Sequence, residues 1–377
     1  MRKHRWAVSI FFWINGFIYA NWVARLPEIQ QLYGVSNAML GTLLLCLAAG
    51  AMVAMPFSGW LTLRFGSRQI TAATGIVFCM VIPLLPLITH LGLVAVLFVL
   101  VGMLNGAMDV SMNGQGVYVE RMYQRPILSS FHAMFSIGMA MGAGLGAVAA
   151  HGQVGLFVHF TLGCALSLGL VLWAARHLVN DAGEKAVSAA AGSGFRLPTR
   201  AILPLGIIAF CGMTGEGSMA DWSAIYMNKV VGKDVGFSAL TFGVFTTAMT
   251  IGRIFGDYFT AQLGKERLLL YNSVAAIGGL SLVILWPQPW PVLTGFFLVG
   301  LGLATVVPII YSAAGNTPGV APSVGIAMAT TVGYAGFFVG PPVIGYLSDI
   351  FTLRIGLTFS LLLFVVMLLL VRRHRFQ

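Results

Sequence analysis

Charge is what this chain has least of. Its 377 residues include 21 Lys and Arg and only 11 Asp and Glu, 8% charged in all, against about a quarter in soluble domains. With 58% hydrophobic residues and a mean hydropathy of +0.90, a soluble globular domain is excluded. Cysteine is also scarce. Cys46, Cys79, Cys164 and Cys211 lie in apolar stretches at no metal-ligand spacing, which favours packing over zinc or disulfide chemistry. No G-x-x-x-x-G-K-[ST] loop is present, so ATP hydrolysis by such a loop is not the energy source. No nucleophile–base pair, metal-ligand set or cofactor motif emerges, and an enzyme, a bound cofactor and a metal are not expected.

What is present is long apolar runs. Stretches of about 20 residues separated by short polar breaks suit helices crossing a core roughly 30 Å thick, and no alternating ten-residue pattern suggests a barrel. The pattern predicts an all-α integral membrane protein with twelve spans, near 6–26, 38–60, 69–89, 92–117, 127–150, 154–177, 199–228, 236–260, 267–286, 289–314, 321–347 and 353–372. The first run follows a basic stretch as a signal peptide would, but it is long and lacks a small-residue cleavage site, so it reads as span one.

The formal net charge of +10 raises nucleic acid as a partner. The location of the basic residues removes it. Arg2, Lys3, Arg5, Arg64, Arg68, Arg121, Arg125, Arg176, Lys185, Arg196, Arg200, Lys265, Arg267, Arg372, Arg373 and Arg375 fall in alternate loops and the termini, whereas only Arg25, Lys229, Lys233 and Arg354 fall on the opposite side. This bias puts both termini in the cytoplasm, with the bilayer and a small-molecule substrate as partners. A monomer in a bacterial inner membrane is the expected setting.

The longest polar connector, 178–198, divides the chain into a six-span lobe at 1–177 and another at 199–377. Internal similarity supports the division. ANWVA at 20–24 matches ADWSA at 220–224, VLVG at 99–102 matches FLVG at 297–300, and Gly138 and Gly142 match Gly336 and Gly340. A shared offset near 200 with six spans per half means two copies of the same topology, the parallel repeat of two-lobed transporters.

GWLTLRFGSR at 59–68 resembles the major facilitator superfamily signature between spans two and three. Gly59, Arg64, Gly66 and Arg68 fit it, and Leu63 stands where the family has an acid. GRIFGD at 252–257 is the matching element of the second half, in which Arg253 and Asp257 are four apart on one helix face. ANWVARLPEIQ, AMDVSMNGQGVYVER, SSFHAMFSIG, EGSMADW and TTVGYAGFFVGPPVIGYLSD resemble the fucose-permease-like branch and its YbjJ-like members. The resemblance implies a twelve-helix transporter of major-facilitator type. Sugar–proton symporters of that branch carry acids on spans one and four; here the second maps onto Asp109, while span one offers Asn21 and Arg25.

The residues in NGAMDVSMNGQG at 105–116 make their own case. Asn105, Asp109 and Asn113 are spaced by four on one face of span four, and a carboxylate at membrane depth is costly unless protonated, paired or facing water. Gly102 and Gly106 lie alongside, where another helix can approach closely. Asp109 is the first candidate for proton coupling. Glu216 is the second; its glycine neighbours suggest an unwound, cavity-lining backbone. Tyr19 and Trp22 lie with Asn15 on one side of span one and suit a sugar-like ligand, while Arg25, near Glu28, Asp221 on span seven, His132 on span five and Tyr311 on span ten complete the candidate substrate contacts. Pro308 frees a carbonyl within span ten.

The expected function is secondary active transport of a small polar solute, a sugar or sugar-like metabolite, coupled to protons. A drug or metabolite exporter and a non-transporting membrane receptor are the alternatives.

Overall fold

The structure, a computed structural model, describes residues 1–35, 37–180, 199–233 and 235–373. Of the expected linker, 181–198 with Lys185 and Arg196 lies outside the described residues, as does Arg375. The described chain is helical throughout: α1 (Arg2–Val23), α2 (Leu26–Tyr33), α3 (Asn37–Phe65), α4 (Ser67–Val81), α5 (Leu91–Tyr123), α6 (Leu128–His151), α7 (Leu156–Ala175), α8 (Leu203–Lys229), α9 (Val235–Leu263), α10 (Lys265–Leu285), α11 (Pro289–Leu303), α12 (Val306–Gly315), α13 (Pro322–Ile350), α14 (Leu353–Gly356) and α15 (Thr358–Arg373).

Ten membrane-length apolar segments occur among the described residues. α8 and α9, which carry Glu216, Asp221, Arg253 and Asp257, are of membrane-crossing length and more polar. The departures from the expected spans are local, and one of them splits the twelfth into α14 and α15. A short helix, α2, follows span one; the third span finishes as a 3-10 turn at Ile82–Leu87; and the tenth is broken between α11 and α12. By contrast α8 runs without interruption through Gly215, Glu216 and Gly217, which corrects the unwinding expected there. The glycines serve tight packing instead, because a Cβ at Gly217 would meet the Phe337 ring at 2.7 Å and one at Gly215 the Phe364 ring.

The fold divides into two compact units. One comprises Met1–Ile127, Phe131–Arg196 and Pro318–Ala327; the other comprises Leu128–Ser130, Leu197–Thr317 and Met328–Gln377. The first turn of α6 thus groups with the second unit and the start of α13 with the first.

Each unit buries large aromatics, Phe11, Phe12, Phe98, Phe131 and Phe160 in the first and Tyr226, Phe245, Phe296 and Phe364 in the second. Outward faces stay apolar, as at Leu162 and Leu166, because lipid rather than water surrounds them. Where helices cross, small residues decide the spacing. In the first unit Gly138 and Gly142 of α6 sit against the backbone of Trp13 and Phe17 on α1, and Gly102 and Gly106 of α5 against Leu47 and Ala51 on α3. In the second, Gly336 and Gly340 of α13 sit against Phe210 and Thr214 on α8. The matched glycines therefore do the same work in both halves.

A second repeated device is the turn into α4 and α10. Gly66 (φ 94) and Gly264 (φ 78) precede those helices with positive φ, a conformation only glycine adopts without strain.

Candidate functional site

Within the first unit, the α5 stripe meets α6. Asn113 is fully buried, while Asp109 and Asn105 are half-buried. The Asn113 amide nitrogen donates to the Asp109 backbone carbonyl at 2.9 Å and to its carboxylate Oδ1 at 3.0 Å. Both partners accept, so the amide oxygen must face the other way, where it lies 3.1 Å from His132 Nε2. An amide oxygen can only accept, hence His132 carries a proton on Nε2. The result is a polar chain from His132 through Asn113 to Asp109. Phe12 closes its α6 end, with its ring 5.1 Å from the imidazole and edge-on to it. The Asn105 side-chain oxygen is a buried atom without a hydrogen bond, and Asn15 on α1 points its amide at Met112 Sδ, 3.8 Å away.

The other candidates of this unit sit toward the end of α1. Trp22 is 1% exposed and meets Tyr19 and Phe98 edge-on, at 5.9 and 5.7 Å. Tyr19 is the more open of the pair. Arg25 is buried and ion-paired with Glu28; it also donates to the Val154 carbonyl at 2.9 Å and lies 3.3 Å from His159 Nδ1. Guanidinium donates only, so His159 accepts on Nδ1. Sequence spacing singles out Arg25 and Glu28 but gives no signal for His159, 134 positions away.

In the second unit, Glu216 of α8 pairs with Arg253 of α9 at 3.3 Å. The same guanidinium donates through Nε to the Ala304 carbonyl at 3.4 Å, at the break between α11 and α12. Pro308 explains that carbonyl: four residues on, it lacks the N–H that an unbroken helix would supply. Asn272 steadies the break by donating to Thr305 Oγ1 at 2.6 Å. Tyr311 lies buried on α12, and Asp221 is exposed near the end of α8.

The signature residues take distinct positions. A Cβ on Gly59 would come 2.8 Å from that of Ala327 and 3.5 Å from the Ser323 carbonyl, so the glycine admits the start of α13. Arg64 lies over the Trp60 and Phe65 rings, and Arg68 donates to the carbonyls of Ala175 and Arg176 at the end of α7. Asp257 accepts from the backbone N–H groups of Ser129 and Ser130, both at 2.8 Å, and so caps the first turn of α6. Arg253 and Asp257, four apart on α9, thus contact Glu216 and this cap respectively.

Comparison with known proteins gives consistent results. The family model of the Major Facilitator Superfamily matches residues 7–341. A Yersinia pestis protein named as an uncharacterized MFS-type transporter is 34% identical over 352 residues, covering 93% of this chain and 90% of that protein. Among solved structures, FucP, the E. coli fucose:proton symporter, is similar in its outward conformation with a TM-score of 0.77 at 14% identity, covering 98% of both chains. The proton:xylose symporter XylE is similar with a TM-score of 0.74 at 11% identity, covering 98% of this chain and 95% of the other.

Proposed function

The chain belongs to the major facilitator superfamily, and from that premise we propose that this membrane transporter moves a small polar solute, a sugar or sugar-like metabolite, by secondary active transport coupled to protons through Asp109. The observation that carries the reading is the chain His132–Asn113–Asp109. It holds a carboxylate on a membrane-crossing helix with an amide that can serve it charged or neutral, so water reaching it from one side or the other decides whether it carries a proton. The fucose and xylose symporters of similar fold are themselves proton-coupled by name. Tyr19 and Trp22 with Asn105, Asn113 and His132 offer aromatic faces and amide groups of the kind a hydroxylated solute uses, and Arg25, Asp221 and Tyr311 are further contacts. The lobes 1–177 and 199–377 expose the site alternately to the two membrane faces, in a monomer of a bacterial inner membrane with both termini in the cytoplasm.

Proteoliposomes test the coupling. Asp109→Asn mimics the protonated acid: solute exchange should persist and accumulation driven by a pH gradient should vanish. Accumulation at the wild-type level in that variant would exclude Asp109 as the coupling site.

A further inference from the structure

One end of the first unit carries a rim of cations that the polar chain of α5 and α6 does not use. Arg2, Lys3 and Arg5 stand at the start of α1, Arg125 follows α5, and Arg176 follows α7. Contacts bring these segments to the same end. His4 Nδ1 donates to the His177 carbonyl, 2.7 Å away, and Arg5 and Arg125 both lie over the Tyr123 ring at 5.6 Å. Arg68, at the start of α4, donates to the Ala175 and Arg176 carbonyls at 3.1 and 3.4 Å. The last carbonyls of α7 are the negative pole of that helix, and His4 and Arg68 answer them. What remains at the surface is positive. Arg2, Lys3 and Arg176 are exposed and, like Arg68, make no ion pair among the described residues. Glu120 of α5 is buried and accepts the Ile127 N–H at 3.0 Å.

One turn deeper the same helix faces become aromatic. Trp6 is 61% exposed and Trp173 46%, and the Trp173 ring packs on His177 with centroids 4.8 Å apart. Lys3 and Trp6 are three apart on α1, and Trp173 and Arg176 are three apart at the end of α7, so each helix sets a cation above a tryptophan on one face. Tryptophan favours the level at which headgroups give way to hydrocarbon, and a cation about 5 Å further out meets the phosphates. We propose that this rim seats an anionic phospholipid, its phosphate on Arg2, Lys3 and Arg176 and its acyl chains along the Trp6 and Trp173 faces of α1 and α7. A free phosphate would use the cations and leave the tryptophans idle. The second unit has cations without this arrangement: Arg372 and Arg373 end α15 over Leu368, Leu369 and Leu370, and Arg267 has Glu266 beside it. The inference does not depend on what the transporter carries.

Full-length protein in an uncharged detergent, titrated with phosphatidylglycerol or with phosphatidylcholine of identical chains while thermal unfolding is followed, provides the test. Phosphatidylglycerol should raise the unfolding temperature and saturate. Phosphatidylcholine should not, and nor should inorganic phosphate, which brings the charge without the chains. Each Lys or Arg beside an anionic lipid surface is worth about a fivefold change in affinity, so Arg2→Gln, Lys3→Gln and Arg176→Gln together should weaken the lipid roughly tenfold or more. These side chains are exposed, so the variant should unfold like the wild type when no lipid is added. Removing as many charges from the second unit, with Arg267→Gln, Arg372→Gln and Arg373→Gln, should change the affinity less than about twofold, which separates a seat from diffuse attraction. Asp181→Asn with Glu184→Gln, in the linker outside the described residues, should likewise change it less than about twofold. The proposal is overturned if phosphatidylglycerol does not stabilise the wild type, or if phosphatidylcholine or inorganic phosphate does so equally. It is overturned too if the two triple variants lose affinity alike, or if the linker variant gains about tenfold because the chain's own acids cover the rim.

Discussion

Replacing Asn113 with Leu separates a transport site from interhelical glue, because the first predicts lost activity at a small cost in stability and the second a loss of stability alone. Asn113 makes two contacts to Asp109 within α5 and one, to His132, between helices. Only the last holds α5 to α6. Interhelical hydrogen bonds in membranes average about 0.6 kcal/mol and reach about 1.7, and Leu fills a similar volume at a position that is fully buried. The substitution should therefore cost about 1 kcal/mol of stability. Unfolding in mixed micelles measures that cost, and uptake per folded molecule in proteoliposomes measures function. If the chain carries coupling, accumulation should collapse while folding is nearly intact. A stability loss of about 3 kcal/mol or more, well beyond one such bond, together with undiminished uptake per folded molecule would refute the reasoning.

Other outcomes follow from single features. Gly142→Leu and Gly340→Leu should each reduce the yield of folded protein, since their side chains would meet the α1 and α8 backbones; overpacking of this kind costs about 1–3 kcal/mol, and size-exclusion profiles report it. Tyr33, on α2 outside the spans, donates to the Leu85 carbonyl, and burial pushes its phenol up to about 12. The folded state then holds a proton that the unfolded chain releases near pH 10, so stability should fall as pH rises from about 10 toward 12 and be untouched below; Tyr33→Phe should flatten that slope in an alkaline unfolding series. A fluorescent protein fused after Gln377 should fold and fluoresce if the C-terminus is cytoplasmic, and a dark fusion at normal expression would reverse the topology.

The spans were legible because their signal is length and apolarity, which lipid imposes on every crossing helix. The α5 stripe was legible for a related reason: spacing by four puts Asn105, Asp109 and Asn113 on one face whatever surrounds them. Breaks and partners were harder. Pro308 marks a missing N–H, yet nothing in its neighbourhood says that Arg253, 55 positions earlier, fills the gap. The glycines around Glu216 read as a weak point, but glycine in a sequence signals either loose backbone or close packing, and only the positions of Phe337 and Phe364 decide for packing. Likewise Arg25 shows its neighbour Glu28 in the sequence and hides His159.

The paired glycine crossings have an evolutionary consequence. Close approach depends on the absence of a side chain and on backbone position, so it constrains only the buried edge of each helix. The other edges are under no such obligation. The halves share one carpentry and differ in chemistry: the first bears an acid held by an amide, the second an acid paired with a cation. A gene built this way can change what it carries by revising one half at a time, while the joints that hold its shape stay as they were inherited.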